Sequence, residues 1–167
     1  MKKRAWWGVV FLCIVLAAGL FGSSLPSKGI QQPVPFNHKK HQEMGYSCDL
    51  CHSLVETHTQ AGRPTIATCQ SCHLSLETEN PLARQVKELA EKGKEIPWAR
   101  LYTLPDYVFF SHRRHVTLAK LECSVCHGKI GESEMPPKQV AVQHTMASCI
   151  ACHQKMKASI DCLSCHK

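Results

Sequence analysis

Long amphipathic stretches are scarce in this chain of 167 residues, and their scarcity excludes a large side-chain core. The apolar content of 44% overstates the material available for one, because the eleven cysteines are counted in it. Histidine, glycine and proline take up much of the remainder. A long apolar run occurs only near the N-terminus, and with that segment set aside about 137 residues remain to fold. The sequence also contains no Cys-x-x-Cys-Lys.

What the chain has in quantity is Cys-x-x-Cys-His. The motif occurs five times, as Cys48–His52, Cys69–His73, Cys123–His127, Cys149–His153 and Cys162–His166. It is the attachment sequence of a c-type haem. Two thiols three residues apart each add to one vinyl group of a single porphyrin, and the following histidine is held beneath the iron as its proximal ligand. Five copies using ten of eleven cysteines argue against chance, a zinc knuckle or a disulfide scaffold. The cofactor-binding residues are therefore Cys48, Cys51, Cys69, Cys72, Cys123, Cys126, Cys149, Cys152, Cys162 and Cys165. Roughly 27 residues per haem cannot enclose a core of their own. The haems must be the core, and folding is expected to depend on their attachment.

The formal charge of +7 omits the cofactors. Each ferric haem with two neutral histidines and two propionates carries about −1, so five bring the protein to about +2. The basic residues largely balance propionates, and no nucleic-acid partner is expected.

Lys2, Lys3 and Arg4 precede an apolar run from Ala5 to about Leu25. This pattern directs the rest of the chain out of the cytoplasm. The run is long enough to span a bilayer, and Trp6 and Trp7 suit an inner interface. Gly22-Ser23-Ser24 offers a fair cleavage site, so a single-pass anchor and a cleaved signal peptide both stand as readings. Cys13 follows Leu12, which does not suit a lipoprotein site, and reads as an inert cysteine of the apolar run. Residues 26–35, with Pro26, Gly29 and Pro33, read as a flexible linker.

Six histidines lie outside the motifs: His38, His41, His58, His112, His115 and His144. Five distal ligands are needed if every iron is six-coordinate. Phe36-x-His38-x-x-His41 precedes the first motif, and Phe110-x-His112-x-x-His115 precedes the third, ending seven and eight residues before the next cysteine. This is an internal repeat. Two histidines three residues apart cannot reach opposite faces of one porphyrin, so each pair serves two haems. Met44, Met135, Met146 and Met156 are not required as ligands and read as packing or surface.

Residues 110–167 resemble a three-haem cytochrome c7 of the class III, cytochrome c3-like family. The resemblance rests on the Phe-x-His-x-x-His start, the three motifs and a lone histidine before the second of them. It implies that His112 pairs with His127, His115 with His153 and His144 with His166. Residues 36–73 resemble the same module without its last haem, which implies pairs His38–His52 and His41–His73. The metal ligands are then His52, His73, His127, His153, His166, His38, His41, His112, His115 and His144. His58 is left over, as a relic, a surface residue or an alternative ligand. The implied fold is a small multihaem cytochrome: short α-helices and irregular loops around five bis-histidine haems, with little β-structure. The organisation is 1–25 anchor or signal peptide, 26–35 linker, 36–80 two-haem module, 81–109 connector, and 110–167 three-haem module.

Within the connector, Asn80-Pro81 opens a helix that stops near Gly93 and carries Leu82, Val86 and Leu89 on one face. Ile96 to Phe110 is rich in aromatics and proline, and reads as a segment packed over haems or as a docking surface. Together with the haem count and the N-terminal run, it resembles the pentahaem subunit of alternative complex III-type assemblies. That resemblance implies iron–sulfur and quinol-oxidising membrane partners, and a place on the periplasmic side of the cytoplasmic membrane.

The resulting expectation is an electron-transfer cytochrome with no catalytic residue. A free periplasmic carrier is the alternative. A multihaem reductase needs an open iron, which the histidine supply argues against. A tetrahaem-type quinol dehydrogenase often has methionine two residues past the haem histidine, where this chain has Leu54 after His52.

Overall fold

The structure is a computed structural model that describes residues 29–166. The expected anchor or signal lies outside the described residues, among which no helix is long and apolar enough to cross a membrane. Short helices alternate with irregular loops. They are α1 His38–Glu43, α2 Cys48–Cys51, α3 Ile66–His73 and α4 Pro81–Glu91, then a π-helical turn Arg113–Leu118. α5 Cys123–His127, a 3-10 turn Ile130–Glu132, α6 Met146–Lys155 and α7 Cys162–Cys165 complete the chain. Among the described residues the only β pairing is an isolated antiparallel bridge between Val108 and His166.

All five attachment motifs fall on helices: α2, α3, α5, α6 and α7. The local reason is geometric. One helical turn brings residues i and i+3 to the same face, so both cysteines of a motif point the same way. Side-chain caps fix where several helices start. The Asn37 carboxamide accepts from the Lys40 N–H at 2.7 Å, and the Asp161 carboxylate from the Leu163 N–H at 2.9 Å. Thr145 and Ser148 form a reciprocal capping box on α6.

Only Val34, Ile66, Ala90 and Ile96 are fully buried among the described residues. Cys69, Val86, Leu89 and Trp98 pack around them. This small core sits where α4 lies on α3. Glu95 accepts from the Ile66 N–H at 2.9 Å, and the Gln70 amide donates to the Ala90 carbonyl at 2.7 Å. α4 begins as expected, with Asn80 accepting from the Leu82 N–H at 2.9 Å, and ends before Gly93 at φ +59°. Its buried face is shifted from the expected one: Ala90 is the most enclosed residue, while Leu82 is exposed.

The linker expected over 26–35 is not free where the structure describes it. Val34 is a core residue, and the Ile30 N–H donates to the Lys138 carbonyl at 2.9 Å. The Gln32 side chain exchanges two hydrogen bonds with the Ala99 backbone, at 2.9 and 3.0 Å. The backbone bends at 33–34 and turns where the Phe36 N–H donates to the Val34 carbonyl at 2.9 Å, and this places Val34 in the core.

Candidate haem-binding sites

The two Phe-x-His-x-x-His segments have nearly superimposable local geometry. Phe36 stacks on His41 (4.4 Å, 24°) and meets His38 edge-on (4.7 Å, 83°). Phe110 stacks on His115 (4.6 Å, 24°) and meets His112 edge-on (4.9 Å, 89°). The phenylalanine therefore splays the two imidazoles toward different places, as service to two haems requires. The extra residue before the third motif is absorbed locally. The Tyr46 N–H reaches the His41 carbonyl in the first copy, and the Leu121 N–H the His115 carbonyl in the second. Both donors stand two residues before a cysteine, so the second loop holds one residue more. It does so by winding Arg113–Leu118 as a π-turn where the first copy has an α-turn.

Facing histidines follow from this splay. Two imidazoles on opposite sides of one metal, each nitrogen about 2.0 Å from it and about 1.1 Å from its ring centre, place their centroids about 6.2 Å apart. His41 and His73 are 6.3 Å apart, His115 and His153 are 6.1 Å apart, and His112 and His127 are 6.4 Å apart with planes only 2° from parallel. His38 lies close enough to His52 to feel its charge. His144 sits beside Tyr102 (5.3 Å) and also near His127 (6.5 Å, 78°). His166 stacks on Tyr107 (5.8 Å, 28°). Three of the five expected pairs thus have the spacing that one iron between them would need.

The second ring nitrogen decides whether such a histidine can bind metal. In six of the ten, Nδ1–H is committed to an oxygen acceptor, which fixes the tautomer and leaves the Nε2 lone pair for a metal. His52 donates to the Gly62 carbonyl (2.9 Å), His41 to Asn37 (2.8 Å) and His115 to Ser111 (2.8 Å). His153 donates to Ser159 (2.6 Å), His112 to Thr59 (2.9 Å), and His38 to the Ser133 hydroxyl (3.3 Å). Burial, with neighbouring His52 and His41, lowers the His38 pKa to about 4. Burial together with His112, His144 and His52 lowers that of His127 to about 4. Burial and His41 lower that of His73. These rings stay neutral near neutral pH, as ligands must.

All ten are half-buried, whereas His58 is exposed and its Nδ1 hydrogen-bonds to the Thr57 hydroxyl (2.7 Å). Met44, Met135, Met146 and Met156 are exposed as well.

The cysteines cluster in the same way. Burial raises the Cys51 pKa with a contribution from Cys72, and that of Cys69 with contributions from Cys51 and Glu95. It raises that of Cys126 beside Cys152 and Cys149. Cys123 is raised by burial and by Cys48, whose thiol lies within hydrogen-bonding reach. Four of the five motifs therefore adjoin one another, in the order second, first, third, fourth.

Sequence reasoning missed the supports. Tyr102 meets the His127 ring edge-on at 4.7 Å, and its hydroxyl accepts from the Ala141 N–H at 3.1 Å. The Phe109 N–H donates to the Cys165 carbonyl at 2.7 Å, docking the aromatic segment on the fifth motif. The aromatic richness of residues 96–110 was the available signal; its partners were not.

Two family models match the chain in different stretches. "Cytochrome c7 and related cytochrome c" matches residues 108–167, and "Class III cytochrome C family" matches residues 23–95. The chain is also 33% identical over 162 residues to the menaquinone reductase, multiheme cytochrome c subunit, of Nitratidesulfovibrio vulgaris. That alignment takes in 82% of this chain and 77% of the relative.

Proposed function

The chain belongs to the class III and c7-type multihaem cytochromes c, and from that premise we propose that it is a five-haem electron relay working as a subunit of a membrane quinone-oxidoreductase complex. The observation that carries the count is the match of five Cys-x-x-Cys-His motifs to ten half-buried histidines, three pairs of which stand 6.1–6.4 Å apart. His127 has two histidine neighbours, and the repeat chooses between them. His112 holds against Phe110 the place that His38 holds against Phe36, so His112 is assigned to His127 and His144 to His166.

When bound, each haem would supply a one-electron iron couple. The chain's own part is to present two imidazoles to each iron, and so to leave no position for substrate there. Bis-histidine ligation keeps potentials low, since methionine as axial ligand would raise them.

The relative's name gives its complex the direction of quinone reduction, whereas the resemblance to alternative complex III-type subunits implied quinol oxidation. A chain of axially saturated haems passes electrons either way, and the potentials of its partners set the direction. The N-terminal basic and apolar residues support a place on the periplasmic side of the cytoplasmic membrane, with an anchor or after signal cleavage. Iron–sulfur subunits are the proposed intermediaries to the quinone site.

Affinity purification of the tagged full chain from detergent-solubilised membranes tests the assembly. The expected result is co-elution of stoichiometric iron–sulfur and integral membrane subunits, with a preparation that reacts with menaquinone or menaquinol. Recovery of the cytochrome alone from the soluble periplasmic fraction would identify a free carrier instead.

A further inference from the structure

The two copies of the repeat touch each other through equivalent residues. The Lys39 N–H donates to the Ser133 carbonyl, and the Arg113 N–H to the His58 carbonyl, both at 3.0 Å. Lys39 and Arg113 each follow the first histidine of a pair. Ser133 stands six residues after His127, and His58 six residues after His52. The contact is therefore made twice, with the roles of the two copies exchanged, like the two halves of an isologous dimer interface. Cys48 and Cys123, the first cysteines of equivalent motifs, lie within hydrogen-bonding reach of each other.

The same two loops hold the ring nitrogens. His38 Nδ1–H reaches the Ser133 hydroxyl at 3.3 Å; that hydroxyl donates its own proton to the Ile130 carbonyl at 2.7 Å and so must accept from His38. His112 Nδ1–H reaches the Thr59 carbonyl at 2.9 Å. The Thr117 hydroxyl donates to the Glu56 carbonyl at 2.7 Å, tying this loop to the second copy. On the opposite side the Gln42 amide fills the space where a side chain on Gly131 would start, and Lys39 pairs with Glu134 at 2.8 Å.

We propose that the two modules complete each other's first haem site: Ser133 of the second module positions His38, and the His58–Thr59 backbone of the first positions His112. His58 is thereby accounted for as a backbone acceptor in this exchange, not as a ligand. The two modules are one cooperative unit, and the orientations of His38 and His112 each depend on the module that does not contain them. This rests on the ligand roles proposed for His38 and His112.

The test uses the full-length holoprotein with Ser133→Ala, Ser133→Thr, Thr117→Val, and the reference variants His38→Met and His112→Met. Low-spin EPR signals and haem-resolved redox titration identify which haem each reference alters. Ser133→Ala is expected to alter the same haem as His38→Met, and to raise carbon monoxide capture by that reduced haem about tenfold, in line with the loss of an outer-shell partner. Ser133→Thr, which keeps the hydroxyl, restores the parent behaviour. Thr117→Val is expected to alter the haem that His112→Met alters. If the two references each shift one haem but Ser133→Ala shifts neither that haem nor its carbon monoxide binding, the exchange is wrong while the ligand assignment stands. If His38→Met shifts no haem, the ligand assignment and the exchange fall together.

Discussion

Replacing Cys123 and Cys126 together by serine is expected to cost the protein its fold as well as one haem. The described side-chain core is four residues, Val34, Ile66, Ala90 and Ile96, and it lies beside the second motif, remote in sequence from this one. Four such side chains supply about 1.5–3 kcal/mol each at most. That is too little to order the 138 described residues, at roughly 1–2 kcal/mol of backbone entropy apiece. Cys123 adjoins Cys48, and Cys126 adjoins Cys149 and Cys152, so a haem held at this motif would lie where the two modules meet. Its removal should lower stability by several kcal/mol, against a usual total of about 5–15 kcal/mol. Intact mass gives the haem number and far-UV circular dichroism the melting. The expected outcome is a four-haem chain that melts far below the parent or is degraded on expression. The corresponding change at Cys162 and Cys165, near the chain end, should be milder. A four-haem Cys123/Cys126 variant that melts like the parent would show that the polypeptide, not the haems, carries the fold.

His112→Met is the second large effect, and it is confined to one site. The imidazole planes of His112 and His127 are 2° from parallel at 6.4 Å, and the Thr59 carbonyl fixes the His112 tautomer. A thioether in place of this ring keeps the iron six-coordinate but stabilises the reduced state. One haem should titrate higher by on the order of 0.1 V, a fraction of the about 0.8 V that axial ligation spans. The other four should move little, because the substitution leaves their own axial ligands in place. A potentiometric titration that superimposes on the parent's would remove His112 from the ligand set. A new high-spin signal without a raised potential would mean that the methionine fails to reach the iron.

The chemistry of this chain was legible because it is written in side chains at fixed spacings. Cys-x-x-Cys-His must sit on one helical turn, and each of the five does. The repeat was legible from Phe36, His38 and His41 against Phe110, His112 and His115, and the two copies share their ring geometry. The helix at Asn80-Pro81 was legible from its cap and its terminal glycine. The contact between modules was not. Its acceptors at His58 and Thr59 are backbone carbonyls, which any residue could supply, so no side-chain pattern announces them. Val34 was hidden for another reason. Flanking prolines look like linker composition, and only its burial against Ile66 and Ala90 reveals a core residue. The one-residue difference between the two histidine-to-cysteine spacings was visible, but whether a π-turn or a looser loop absorbs it depends on the tertiary anchor at each end.

The central claim is five irons, each between two histidines. Quantitative EPR of the fully oxidised holoprotein tests it in a single measurement. Five low-spin ferric centres per polypeptide with no high-spin component is the predicted result. A count below five, or a high-spin ferric signal at full haem occupancy, would contradict it.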